Sequence, residues 1–282
     1  METRLLFVHV LSPLHAGTGQ GTGVIDLPIA REKATGLPFL PGSSLKGILR
    51  DACTDKTLRV RVFGPETENA SDYMGSAHFA DARLLLLPVR SLAGTFAWVT
   101  SPYVLQRLAR DVQDLGLTAS FPAVPVPKGD SQCLVGSTCA LSTGGHVYLE
   151  DLDLTAVTDS NADAWADEIA KHVFPEDSIW HGMLAARLCI VHDDVISFLL
   201  STATEVTARV KLIEDKKTVQ QGGLWYEEAL PAETILSGLV AAIPIKATEV
   251  EVFDLLTALC AKAIQVGGKA TVGRGLCRVR IG

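Results

Sequence analysis

The chain has no stretch of about 18 consecutive apolar residues, so nothing in it reads as a membrane-spanning helix. Its first residues, METRLLFVHVLSPLH, hold too short an apolar run and too early a histidine for a secretory signal. Together these absences predict a cytoplasmic protein with no membrane partner. Paired cysteine motifs are missing too. The six cysteines (Cys53, Cys133, Cys139, Cys189, Cys260, Cys277) are scattered through apolar segments and read as reduced core residues. Cys133, Cys139 and His146 match no CxxC knuckle and have no second pair, which argues against structural zinc. There is no repeat at a period of roughly 20–50 residues and no low-complexity tract. A surplus of positive charge is lacking as well: 25 Lys+Arg stand against 32 Asp+Glu, a net charge of −7. That sum counts against a nucleic-acid binder, which usually carries a basic surface.

What is present qualifies that objection. The chain has 282 residues, 48% hydrophobic and 20% charged, enough for a sizeable core in one large domain or two small ones. Its charges are unevenly placed. Arg31, Lys33, Lys46, Arg50, Lys56, Arg59 and Arg61 gather in one segment, and Lys269, Arg274, Arg278 and Arg280 in another. Acidic residues cluster at Glu150–Asp153, Asp159–Glu168 and Glu249–Asp254. An acidic outer face with a basic groove is compatible with this pattern.

β-Branched and aromatic content predicts a strand at Arg4–Leu11, followed by a Gly/Pro-punctuated loop over 12–42, too long for a simple connection. Leu45, Ile48, Leu49 and Ala52 put one apolar face on a helix from Ser43 to about Cys53. Ala77–Arg90 and Thr95–Thr100 read as a hairpin pair, and Pro102–Leu115 as an amphipathic helix with proline at its start. Residues 116–146 read as loop-rich, Val147–Leu154 as a strand and Asn161–Phe174 as a helix. Strands are expected at Val195–Ser201, Glu205–Leu212 and Leu224–Glu228, with a polar excursion at Glu214–Gln221. Ile235–Ile245 reads as a strand pair or one long strand, Val250–Ile264 as helix, Gly267–Gly275 as loop and Leu276–Ile281 as strand. A strand–helix–strand start and a strands–helix–strand end suit an α+β, ferredoxin-like core with insertions between.

The long loop, LHAGTGQGTGVIDLPIAREKATGLPFLPGSSLKGILR, carries the chemistry. Glycines at 17, 19, 21 and 23 allow close backbone approach to a ligand. A serine-capped helix start at Ser43-Ser44, with Lys46 in its first turn and Arg50 further along, suits a phosphate. Asp26 stands between the glycines and Pro28, flanked by apolar residues, on what reads as a partly buried segment. A loop aspartate usually caps its own turn; held in place like this, it suits chemistry. His15 in the same loop is a second acid–base candidate or a loop-shaping hydrogen-bond donor. Glu227 and Glu228 follow Trp225-Tyr226, so one of the pair points inward if the segment is a strand. Gly267, Gly268, Lys269, Thr271 and Arg274 form a second glycine-rich loop, which spacing alone also fits to a tight αβ turn.

These pieces resemble the RAMP superfamily of CRISPR proteins, in particular the backbone subunits of Cmr-type (type III-B) RNA-targeting effector complexes. The resemblance rests on His15-Ala-Gly17, Gly23–Glu32 (GVIDLPIARE), Gly36–Gly47 (GLPFLPGSSLKG), Pro88–Leu92, Thr100–Pro102, Leu224–Glu228 and Gly267–Gly275, in order along nearly the whole chain. It implies an RRM-like palm (about 1–55 and 190–282), a helical, loop-rich insertion (about 56–190) and a projecting β-hairpin thumb within 200–228. It implies that Ser43, Ser44, Lys46 and Arg50, with the second glycine-rich loop, contact guide RNA through phosphate and sugar. It also implies that Asp26 is required to cut complementary target RNA, with further copies of the chain and other Cmr subunits as partners. Cleavage by the ribose 2′-OH needs a proton acceptor, and a carboxylate serves as base or as ligand to a divalent ion, Mg or Mn. His15 and Glu227 are the supporting candidates. Two other readings stay open: a guide-binding scaffold that does not cut, and a metal-free processing nuclease acting through histidine.

Overall fold

A computed structural model of the chain describes residues 1–19, 21, 23–66, 72–117, 121–213, 215–216 and 218–282. β1 (Glu2–Val10) leads through the long loop to β2 (Phe39–Leu40), α1 (Gly42–Ala52) and α2 (Lys56–Phe63). β3 (Ala77–Phe79), β4 (Ala82–Arg90) and β5 (Phe96–Thr100) precede α3 (Pro102–Asp114). Next come β6 (Gln132–Val135), β7 (Ser142–Thr143), β8 (His146–Leu149), β9 (Leu152–Thr158), α4 (Ser160–Val173) and α5 (Ser178–Arg187). β10 (Leu188–Val191) and α6 (Asp193–Thr202) lead into a hairpin of β11 (Glu205–Leu212) and β12 (Val219–Ala229). β13 (Ile235–Ala242), α7 (Glu249–Leu259), β14 (Ile264–Gln265), a 3-10 turn at Ala270–Val272 and β15 (Leu276–Ile281) come last.

Thirteen strands join in one sheet, ordered β14-β15-β1-β13-β4-β5-β10-β6-β9-β8-β7, with β2 added to β4 and β3 to β13. Only β5–β10 and β6–β9 pair in parallel among the described strands. The result is a mixed α/β fold built on a large, mostly antiparallel sheet. β1 is central because Leu5–Val10 is apolar at nearly every position and is buried on both faces. One face meets α7, where the Arg4 guanidinium lies 3.9 Å from the Phe253 ring centre. The other meets α4, where Phe7 stacks on His172 at 5.2 Å. The segment 56–190 does not stand apart: β3 and β4 pair with β13, and β5–β10 extend the same sheet. The hairpin β11–β12 is a separate two-stranded sheet. Glu214 and Lys217 of its expected polar tip lie outside the described residues.

Two local expectations fail, and two helices go unread, for identifiable reasons. Val195–Ser201 is helix α6, not a strand. Its β-branched start imitates a strand, but Val195, Ile196, Leu199 and Leu200 repeat at helical spacing and are all buried. His192 caps the helix and Asp193 and Asp194 occupy its first turn, where negative charge suits the helix dipole. Val147–Leu154 is two strands, because Glu150 turns the chain with φ 51°. Helices α2 and α5, by contrast, were hidden by short length and poor amphipathicity. Each is started by an aspartate, Asp55 or Asp177, whose side chain accepts two backbone N–H groups.

The packing of α6 gives a direct test. Leu199→Ala should lose roughly 2–5 kcal/mol, the range for emptying a buried leucine site, while Phe198→Ala on the exposed face should be near neutral. Urea denaturation of both variants reads the difference, and equal losses would mean the helix buries another face.

Candidate functional site

After Pro13 the chain can no longer continue the ladder of β1, and the long loop is instead pinned at intervals. Leu14 exchanges both backbone hydrogen bonds with Leu230, at 2.8 and 2.9 Å. His15 pairs with Gly268, whose N–H donates to the His15 carbonyl at 3.1 Å. The loop then folds back, with Ala30 N–H donating to the Ala16 carbonyl at 2.8 Å. Its return limb lies along β12: Leu27 N–H donates to Tyr226 and Glu228 N–H to Leu27, both at 3.0 Å. Gln20 and Thr22, within the glycine alternation, lie outside the described residues.

Two glycines are demanded by this crossing. A Cβ on Gly17 would meet the His15 ring at 2.5 Å. One on Gly267, whose φ is +73°, would meet the His15 carbonyl oxygen at 2.6 Å. His15 itself is buried, with Nδ1 2.7 Å from the Glu228 carbonyl oxygen. Only a protonated Nδ1 can make that bond, so the ring shapes the loop whatever else it does.

Asp26 sits one residue before the paired limb and is exposed, not half-buried as its apolar neighbours suggested. Its Oδ2 accepts the Tyr226 N–H at 2.7 Å, and Oδ1 has no hydrogen-bond partner among the described residues. Glu227 and Glu228, adjacent on β12, are both only 3% exposed. They face opposite ways. Glu227 accepts from Lys269 Nζ at 2.8 Å, Trp225 Nε1 at 2.8 Å and Arg209 Nε at 3.3 Å. Glu228 accepts from Arg31 Nη2 at 2.5 Å, Thr204 Oγ1 at 3.0 Å and Ile29 N–H at 3.1 Å. The expectation that one of the pair points inward understates the result, since both do.

The helix start expected to hold phosphate differs from its sequence reading. Pro41 occupies the N-cap, and neither Ser43 nor Ser44 caps α1; Asp81 Oδ1 takes the Gly42 N–H at 2.9 Å instead. Lys46 forms no ion pair among the described residues; half-burial and then the Arg50 charge hold its pKa below the usual lysine value. Arg50 is engaged by the Gly64 and Pro65 carbonyls and by Glu66. Arg274 is 8% exposed and reaches Glu205 and Thr207. Thr271 is exposed in the 3-10 turn. The structure therefore joins Asp26, His15, Glu227, Gly267, Gly268 and Lys269 at one junction, and leaves Arg50 tied to another loop.

A protein-built metal centre does not fit these residues. Among the described residues no three His, Cys, Asp or Glu side chains are grouped to hold an ion. Glu227 and Glu228 have their oxygens filled by N–H and O–H donors, which leaves one free oxygen on Asp26.

Comparison with known proteins places the chain in a family. The RAMP superfamily profile matches residues 7–278. The chain belongs to the RAMP superfamily. It is 32% identical over 294 residues to the CRISPR system Cmr endoribonuclease Cmr4 of Pyrococcus furiosus, covering 100% of this chain and 96% of that one. The crystal structure of oligomeric Cmr4 from Pyrococcus furiosus superposes with a TM-score of 0.75 at 27% identity, covering 100% and 98% of the two chains. A chain of a type III-B Cmr-beta complex in its apo state shares the fold, with a TM-score of 0.77 at 20% identity over 99% and 96%. Among the described residues no helix is long and apolar enough to cross a membrane.

In this RAMP protein the residues that sequence reading missed are the partners of the two glutamates. Arg31 reads as one of a basic cluster, and Thr204 and Arg209 carry no signal at all. The one signal was the Glu-Glu doublet running straight into apolar Ala229-Leu230, which forces charge into the interior. Burial pushes the Glu227 carboxyl up, but hydrogen bonds from Lys269 and Trp225 and the Lys269 charge outweigh it. Its pKa falls from the ordinary 4.5 to about 2. A depressed carboxylate stabilises the fold above its unfolded pKa and loses that contribution as pH falls from about 4.5 toward 2. Glu227 should therefore contribute up to about 3 kcal/mol at neutral pH. Denaturation at pH 6 and at pH 3 should show wild type losing more stability than Glu227→Gln, and parallel losses would contradict the depressed pKa.

Proposed function

We propose that this chain is the repeated backbone subunit of a type III-B Cmr complex, binding guide RNA and cutting complementary target RNA at Asp26. The observation that carries this reading is the contrast between carboxylates at one junction: Asp26 is exposed with one oxygen free, while Glu227 and Glu228 are buried and saturated. An enzyme that needs one proton acceptor and a rigid frame uses carboxylates in these two ways. Membership of the RAMP superfamily and similarity to a Cmr4 endoribonuclease support the RNA substrate. The strand order β15-β1-β13-β4, with α1 and α7 as crossovers, supports a ferredoxin-like palm, and β11–β12 supports a thumb.

On this reading the free Oδ1 of Asp26 takes the proton from a ribose 2′-OH. The 2′ oxygen attacks the adjacent phosphorus, the P–O5′ bond breaks, the departing O5′ takes a proton from water, and the products are a 2′,3′-cyclic phosphate and a 5′-hydroxyl. The Tyr226 N–H holds the carboxylate in one orientation, which makes the acceptor preorganised. His15 is a positioning residue, since its Nδ1–H locks the loop to β12. Lys46 and the N–H groups of Ala270 and Thr271 would contact guide phosphates without reading sequence, since those of Gly268, Val272, Gly273, Arg274 and Gly275 already donate within the chain. Copies aligned along one guide would cut at a regular interval, alongside the other Cmr subunits.

The scaffold alternative is favoured by one fact: Asp26 already has a structural task at Tyr226. Asp26→Asn separates the two readings, because the amide oxygen keeps that hydrogen bond but cannot accept the proton. In a complex assembled on guide RNA, Asp26→Asn should retain target binding and reduce cutting by at least about 100-fold, the scale of a lost general base. Unchanged cutting would leave the scaffold. The expected divalent ion is a separate matter. A single carboxylate oxygen is too few ligands for a resident Mg or Mn, so any ion used in cutting would arrive with RNA phosphates. Elemental analysis of the dialysed chain should find no stoichiometric divalent metal, and one ion per chain would contradict this.

A further inference from the structure

Most of the basic residues that the sequence gathered are neutralised within the chain. Arg31 pairs with Glu228, Arg50 and Arg59 with Glu66, and Arg61 with Glu251. Lys269 pairs with Glu227 and Arg274 with Glu205. Arg278 and Arg280 differ: neither meets a carboxylate within ion-pair distance among the described residues. The Arg280 Nε is shielded from solvent and has no hydrogen-bond partner among the described residues.

Both arginines lie on β15, where the register with β1 sets Arg278 opposite His9 and Arg280 opposite Phe7. Directly opposed residues share a sheet face, so both arginines stand on the face that α4 and α5 cover. That cover is incomplete. Past the α4–α5 turn is a cavity of about 340 Å³, with the two arginines on one side and Phe174 and Trp180 on the other. The two rings stack at 5.3 Å, and the His9 ring meets each edge-on, at 5.2 and 5.7 Å. His9 is held by Glu233 at 2.7 Å. Two carboxylates reach the rim. Asp177 is engaged in capping α5, and Glu176 pairs with neither arginine.

Two guanidinium groups without counter-ions, across a nucleotide-sized space from stacked rings, suit a phosphate on one side and a sugar or base on the other. Position in the chain favours RNA over an acidic protein segment. β15 begins directly after Gly275, so Arg278 and Arg280 lie about 10 and 17 Å beyond the glycine-rich loop at the usual strand rise. We propose that this cavity is a second RNA contact, seating one nucleotide of a single strand that continues past the glycine-rich loop. The proposal rests on the RNA-binding reading given above, not on the assignment of Asp26.

The test uses the full chain and a fluorescein-labelled single-stranded RNA, with anisotropy followed through a salt titration begun at low ionic strength. Loss of the one phosphate contact should make the log–log salt slope of Arg278→Ala/Arg280→Ala shallower by about 0.7. Arg278→Lys/Arg280→Lys keeps the charge and should restore the slope, which separates lost contact from misfolding. Ultraviolet cross-linking with mass spectrometry should place RNA on Trp180 in wild type and not in the alanine variant. An unchanged slope with no Trp180 cross-link overturns the proposal. So does an unchanged slope with lost self-association on native mass spectrometry, which would make the cavity a protein contact. If wild type binds no RNA at any salt, the RNA reading itself fails and takes the proposal with it; retained cutting by Asp26→Asn removes only the nuclease assignment.

Discussion

Two adjacent carboxylates buried at the root of a hairpin are the constraint on which the rest of this junction depends. Neighbouring residues on a strand point to opposite faces, so burying both Glu227 and Glu228 requires cover on both sides of β12. A buried carboxylate without partners is too costly to persist, and each of these recruits donors from far along the chain. Glu228 draws in Ile29 and Arg31, which fixes the return limb of the long loop. Glu227 draws in Lys269 and Arg209, which fixes the second glycine-rich loop and the facing strand. Replacing such ion pairs by apolar residues need not cost stability. Their effect here is on arrangement: segments with almost no regular structure of their own acquire one geometry.

That arrangement explains how an exposed aspartate can be precise. Asp26 is in a glycine-rich loop, where conformational freedom is greatest, yet its neighbours Leu27 and Ile29 are hydrogen-bonded to β12 and to Glu228. Its own carboxylate is oriented by the Tyr226 N–H. Order is therefore passed from the sheet to β12 and from β12 to the loop. The glycines serve the crossing as much as any ligand, since Gly17 and Gly267 make room for His15.

Much of the scaffold was legible in the sequence. β1, β4, β5, α1, α3, α4, β13, α7 and β15 follow from apolar periodicity and from proline and glycine punctuation, because their own residues supply the burial pattern. Where tertiary contact overrides local pattern, reading fails. α6 begins with a β-branched pair, and α2 and α5 are too short to show a face. For the site, the sequence identified Asp26, His15, Glu227 and the glycine-rich loops as special but gave no means of joining them. The joining contacts reach from His15 to Glu228 and to Gly268, at opposite ends of the chain, and no periodicity encodes a distance of that kind. Ser43 and Ser44 misled because a serine at a helix start ordinarily caps it; here Asp81, from another strand turn, supplies that acceptor.

The charge balance now has a physical account. Acidic side chains outnumber basic ones in the chain as a whole, and around the junction they hold Arg31, Lys269 and Arg274 in internal pairs. Those cations build the junction rather than advertise a basic surface. Among the described residues, a single copy is left with scattered unpaired cations, Lys46, Arg278 and Arg280 among them, and with the N–H groups at the start of the Ala270–Val272 turn. Each such contact is weak and indifferent to sequence. On the proposed reading that weakness has a use: a chain that bound RNA tightly alone would occupy any strand it met. Copies whose small contacts add along one guide bind through effective concentration instead, so affinity appears only when neighbours are in register, and an acidic protein can serve as a ruler for RNA without being a general RNA binder.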